Sequence, residues 1–194
     1  MLAVILFLTA IIYSNSLSNQ FIVNWDDGEY VVNNKYIKDL SFEGIKTIFT
    51  TYHLGNYHPL TTISNGIEYY LFGPNSKPFH FFNLFLHLCN TILVFLLIEL
   101  LCKKREIAFL VSLFFAIHPM HVESVTWVSE RKDVLYSFFY LGSLISYTSY
   151  VQGEQKMKQL VITLFLFAGS LLSKSAAVSL PVLLLLFDYF LQRK

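Results

Sequence analysis

The sequence predicts an all-α, polytopic membrane protein, and three observations carry that expectation. Of 194 residues, 55% are hydrophobic and only 14% are charged, whereas charged residues supply about a quarter of an ordinary soluble domain. The apolar residues come in blocks long enough to enter a bilayer. Short polar or basic stretches separate those blocks, so residues 1–194 read as a single membrane domain that re-enters the bilayer several times. A net charge of +1, without a basic patch of interleaved aromatics, gives no footprint for nucleic acid. No Walker loop, Gly-x-Gly-x-x-Gly run or zinc spacing is present.

Residues 1–23 read as an uncleaved first span, because the apolar start lacks the basic flank and small-residue cleavage site of a signal peptide. Residues 24–78 are too polar to cross and form a long loop. Within it Ser41 is placed to cap a short helix whose Phe42, Ile45, Ile48, Phe49 and Tyr52 fall near helical spacing. Such a stripe suits a helix lying in the membrane interface. Tyr57-His58-Pro59-Leu60 breaks the pattern, and Ile63 to Phe72 reads as a second half-buried helix ended by Gly73-Pro74. Further spans are expected at 79–102, 107–120, 134–151, 160–172 and 176–191, about six in all. Cys89 and Cys102 share one segment, roughly 20 Å apart on a continuous helix, too far to bond.

Basic residues orient the chain, since short cytoplasmic loops collect Lys and Arg. If Lys103, Lys104 and Arg105 are cytoplasmic, alternation also puts Lys156, Lys158, Arg193 and Lys194 there, together with the amino terminus. The 24–78 loop, residues 118–133 and Lys174 then share the outer face. Arg131, Lys132 and Lys174 are basic residues on the side where orientation alone disfavours them, at a depth suited to holding a lipid phosphate. The plainer alternative for Arg131 and Lys132 is pairing with Glu130 and Asp133 in a solvated loop. Lys174, flanked by serines, has no acid close to it in sequence.

Two adjacent carboxylates, Asp26 and Asp27, open the outer loop. Neighbouring acids repel, so their conjunction points to a proton acceptor, a cation site or a helix cap, against a plain solvated Asp-Asp-Gly turn. His118, His121 and Glu123 have residue types suited to a divalent metal, but Pro119 interrupts them and no fourth ligand follows, so no metal or other cofactor is expected. His80 and His87 are expected to pack or to hydrogen-bond between helices. Acids and bases gather at one membrane face rather than at mid-depth, which favours chemistry at the surface over transport through it.

Four stretches, taken together, resemble a known family. They are Asn-Trp-Asp-Asp-Gly-Glu-Tyr-Val-Val-Asn-Asn (24–34), Tyr-His-Pro-Leu-Thr-Thr-Ile-Ser-Asn (57–65), Phe-His-Phe-Phe-Asn-Leu-Phe-Leu-His-Leu-Cys-Asn-Thr (79–91) and His-Pro-Met-His-Val-Glu-Ser-Val-Thr-Trp-Val-Ser-Glu-Arg-Lys-Asp (118–133). The resemblance is to the membrane half of bacterial tetratricopeptide-repeat (TPR) glycosyltransferases, relatives of the animal transmembrane-and-TPR O-mannosyltransferases and of the protein O-mannosyltransferases. It implies a GT-C helical bundle that takes a sugar from a polyprenyl-phosphate donor on the non-cytoplasmic face. The acceptor would be a hydroxyl of a protein or glycan, with membrane lipid as a partner. The setting expected from the resemblance is the bacterial inner membrane, with the acidic loop outside. Family members have more spans and a carboxy-terminal TPR domain, so the chain matches an amino-terminal portion.

On that resemblance Asp26 and Asp27 are the catalytic candidates, with Asp26 favoured as base although the pair leaves the choice open. Arg131, Lys132 and Lys174 are the candidates for the phosphate, and His58, His118, His121 and Glu123 for contacts to the sugar. The alternative function is a non-catalytic scaffold or transporter component that binds a partner or carrier lipid through the outer loop.

Overall fold

The computed structural model describes residues 1–153 and 156–193. Lys194, which the charge argument placed on the cytoplasmic side, lies outside the described residues. All regular structure among them is helical. α1 (Leu2–Tyr13) is shorter than the span expected over 1–23. Ser14, Ser16 and Ser18 turn their hydroxyls back onto the carbonyls of Ile11, Tyr13 and Asn15 at 2.7–2.8 Å. Such back-bonding competes with the helical ladder, and the chain tightens into a 3-10 turn over Ser14–Ser18.

The 24–78 stretch carries two complete α-helices. α2 (Phe42–Thr50) is capped by Ser41, whose Oγ accepts the Gly44 N–H at 3.1 Å. α3 (Pro59–Phe72) begins inside the segment expected to interrupt the pattern, because a proline at the first helical position gives up an N–H that has no partner there anyway. It stops at Gly73, whose φ is +64°.

α4 (Ser76–Cys102) is, among the described residues, the one helix long and apolar enough to cross a bilayer alone. α5 (Arg105–Ile117) is followed, across His118 and Pro119, by the short α6 (Val122–Thr126). The segments on either side of that break are bent by 51°. α7 (Arg131–Gln152) includes 134–151, yet its tyrosines and serines leave it more polar than α4. α8 (Met157–Ser173) and α9 (Leu180–Phe190) are short and apolar. Length and composition therefore mark one span, or two if the bent pair crosses as one, fewer than the sequence pattern suggested.

α4 is the centre, packed against α1, α5 and α7. α7 and α8 run antiparallel: Ser143 and Ser146 donate to the carbonyls of Thr163 (3.0 Å) and Gln159 (2.8 Å), and Ser170 donates to that of Tyr136 (3.0 Å). Gly142 meets Leu166 and Gly169 meets Phe139, so small residues let the two backbones close up as they do between membrane helices. At one end of this bundle Arg105 pairs with Glu99 (2.6 Å) and Arg193 with Asp188 (3.1 Å). The acidic loop, the 118–133 segment and Lys174 meet at the other.

Candidate functional site

The two neighbouring carboxylates have different surroundings. Asp27 is fully buried. It accepts the N–H of Ile22 (2.9 Å), the N–H of Ser129 (2.9 Å) and the Ser129 hydroxyl (2.5 Å). Gly28 permits the tight return this needs, since a Cβ there would collide with the Val23 carbonyl. Asp26 is only half-buried, and no described residue donates to it. Three donors to one carboxylate satisfy its oxygens and fix its place. The pair thus divides into an anchor, Asp27, and an acceptor with open lone pairs, Asp26.

The turn that grips Asp27 is held in turn by Arg131. Its guanidinium is fully buried, and four neighbours take its protons. Asn83 Oδ1 accepts at 2.5 Å, Ser64 Oγ at 2.9 Å and the Phe79 carbonyl at 2.8 Å. Glu68, 3% exposed, completes a two-pronged ion pair, with Oε2 at 3.0 Å from one prong and Oε1 against the other. This corrects the assignment of Arg131 to a lipid phosphate: its donors face inward and tie α3, α4 and α7 together.

The other two cations remain near the surface, but neither stands alone. Lys132 pairs with Glu130 at 2.8 Å and lies over the Tyr30 ring, 5.5 Å from its centre. Lys174, which has no acid near it in sequence, pairs with Asp133 and lies 4.0 Å from Glu130. That pairing comes from the antiparallel course of α7 and α8, which brings residues 41 apart together. Burial pushes the Glu130 carboxyl above its usual range, against the pull of Lys132 and with a further push from Asp133.

His58 stands over this group in a small cleft with Tyr30, Thr61, Asn65, Ser129 and Lys132. The Asn65 side-chain oxygen there is buried and unpartnered. Burial first, and then Lys132 and Lys174, pull the His58 pKa down to about 4 against the opposite effect of Asp133. His58 is therefore neutral at physiological pH and offers a phosphate no charge. Because its folded pKa lies below the unfolded one, the unfolded chain takes the proton first, and stability is lost as pH falls from about 6.5 to about 4. A ring titration by NMR is expected to place the midpoint at about 4, and Lys132→Met to raise it.

His118 and Glu123 are exposed, and His118 Nδ1 accepts the Met120 N–H at 3.2 Å. His121 is half-buried and faces a cavity beside His87. Among the described residues no group of three or more His, Cys, Asp or Glu is placed to hold a metal ion. His87 meets the Ala116 carbonyl at 2.9 Å, an inter-helix bond of the kind expected. Sequence reasoning missed Glu68, Asn83, Ser129 and Asn65. A signal for Asn83 was present: His80, Asn83, His87 and Asn90 recur at three- and four-residue steps, a polar stripe on one face of an apolar helix.

The profile of the family described as dolichyl-phosphate-mannose-protein mannosyltransferase matches residues 60–194. The chain is 27% identical over 190 residues to protein O-mannosyl-transferase TMTC3 of Mus musculus, covering 92% of this chain and 20% of that protein. It is 29% identical over 198 residues to protein O-mannosyl-transferase TMTC1 of Homo sapiens, covering 92% and 22%. A third relative, protein O-mannosyl-transferase F38B6.6 of Caenorhabditis elegans, is 29% identical over 173 residues, covering 83% and 25%. The chain thus spans about a fifth to a quarter of the length of these relatives. No solved structure matches.

Proposed function

Because the chain belongs to the dolichyl-phosphate-mannose-protein mannosyltransferase family, we propose that it forms the base-carrying and phosphate-binding part of a membrane glycosyltransferase. That enzyme moves a sugar, mannose being the first to test, from a polyprenyl-phosphate carrier to an acceptor hydroxyl such as a protein Ser or Thr, on the non-cytoplasmic face. The observation that carries this reading is the unequal pair: a fixed Asp27 that holds an accessible Asp26 at the end of the bundle where Lys132 and Lys174 also lie.

A hydroxyl is a weak nucleophile until a carboxylate accepts its proton as it attacks. Asp26 takes that proton while the hydroxyl oxygen bonds to the anomeric carbon. The bond from that carbon to the phosphate oxygen breaks, and the lipid phosphate leaves with the electron pair. Lys132 and Lys174 stabilise the charge gathering on the phosphate. Each must loosen from Glu130 or Asp133 to do so. Asp27, with its donors fixed, keeps the loop from drifting.

In membranes holding the full-length parent, Lys132→Met and Lys174→Met are each expected to raise the KM for the polyprenyl-phosphate sugar about 10-fold or more, since a hydrogen bond to a charged group is worth ~1.5–3 kcal/mol. A double variant with unchanged donor KM would remove both lysines from the phosphate site.

A further inference from the structure

A cavity of about 180 Å³ opens between the middle of α4, the end of α5 and the start of α7. Asn90, which lines it, stands fourteen residues into α4, so the cavity reaches about 20 Å along that helix from its first turn. Three features of the lining bear on an occupant. The Asn90 side-chain nitrogen donates to the Val134 carbonyl at 2.9 Å, but its oxygen, in a residue only 1% exposed, has no partner. A buried acceptor left that way is costly unless something donates to it. Part of the lining is aromatic: the Phe115 and His121 rings lie 4.6 Å apart, and Phe115 stacks on His87 at 5.5 Å. The charged group in the lining is Asp133, already paired with Lys174 and accepting the Ser124 hydroxyl at 3.2 Å.

The occupant these features select is neutral, rich in hydroxyls along its edge and apolar on one face. An anion would meet an acceptor and a carboxylate, and a cation would find the carboxylate already neutralised. A pyranose ring has that chemistry: its C–H face lies on an aromatic ring, and its hydroxyls donate to an amide oxygen and a carboxylate. The volume is that of about six waters at ~30 Å³ each, close to one such ring.

We propose that this cavity, built from Asn90, Phe115, His121, Ser124, Asp133 and Ser137, is the subsite for the sugar ring of the lipid-linked donor. It rests on the donor reading given above. Asp133 links the two parts, lining the cavity while it pairs with Lys174, so a phosphate at Lys174 stands at the cavity's rim with its sugar inside.

Ser137 has its side chain in the cavity and makes no hydrogen bond among the described residues. Ser137→Phe therefore fills the space without breaking a buried bond. The experiment compares full-length parent protein in micelles, by equilibrium binding of short-chain polyprenyl-phosphate-mannose and of bare polyprenyl phosphate. The unaltered protein is expected to prefer the sugar-loaded lipid by 10-fold or more. Ser137→Phe is expected to bind both lipids equally, with bare-lipid affinity unchanged, which also shows that it is folded. Preference retained in Ser137→Phe overturns the cavity assignment and leaves the donor reading standing. Binding of neither lipid by the unaltered protein overturns both. Methyl mannoside binding that Ser137→Phe abolishes, without any preference between the lipids, overturns the donor assignment and gives the cavity to an acceptor glycan.

Discussion

Asp26→Asn in the full-length parent is expected to lower the rate of sugar transfer by ~10²–10⁴, the usual contribution of a positioned proton acceptor. Membrane insertion and affinity for the lipid-linked donor should be unchanged. The amide keeps the shape of the carboxylate and removes its basicity. Because Asp26 is half-buried and receives no hydrogen bond from the described residues, its loss costs little stability. Asp27→Asn should behave differently: one end of its amide carries N–H groups and so would face the donors of Ile22 or Ser129. Its effect is expected first as a loosened outer loop, read by limited proteolysis, and only through that as lost transfer. If both variants inserted normally and transferred at the parental rate, the carboxylates would not be the site and the scaffold alternative would gain. Transfer lost in Asp27→Asn with an intact loop, and kept in Asp26→Asn, would exchange their roles.

Arg131→Met is expected to destabilise the protein by ~3–5 kcal/mol, because it leaves the Glu68 carboxylate buried without its partner. Glu68→Leu alone should be as harmful, since it strands a fully buried guanidinium. The double variant Arg131→Met with Glu68→Leu should recover much of the loss, since two apolar side chains replace two compensating charges. Thermal unfolding in detergent checks all three. The opposite outcome, an unchanged midpoint with weakened donor binding in Arg131→Met, would return Arg131 to the phosphate site. The guanidinium also holds the turn that carries Ser129, so Asp27 is expected to lose its grip in the same variants.

Helix positions were largely legible, because α4, α5, α7, α8 and α9 follow apolar blocks and α2 follows a Ser cap with helical spacing. Bilayer crossing was less so. A helix rich in Tyr and Ser such as α7, or one as short as α8, needs its neighbours to define its depth, and periodicity carries no information about neighbours. In the site, adjacency in sequence suggested a shared role for Asp26 and Asp27, and for Arg131 and Lys132. In both pairs the fold separates the two, because consecutive residues point in different directions along a turn or helix. Burial, which decides which member is structural, depends on Ser129, Glu68 and Asn83, residues that are distant in the chain from their partners. Lys174 shows the same limit: its partner Asp133 comes from the pairing of α7 with α8.

The bond between Asp27 and Ser129 joins residues 102 apart, and this sets an order of assembly. A ribosome adds ~5–20 residues per second, so about 5–20 s separate the synthesis of the acidic loop from that of the serine that fastens it. In that interval α3, α4 and α5 are made and delivered to the membrane, and Arg131 follows two residues later. The acidic loop is thus fastened to Ser129 late in biogenesis, after α3, α4 and α5 are made. A chain stalled before residue 129 would carry both acids with only the Ile22 N–H to hold Asp27.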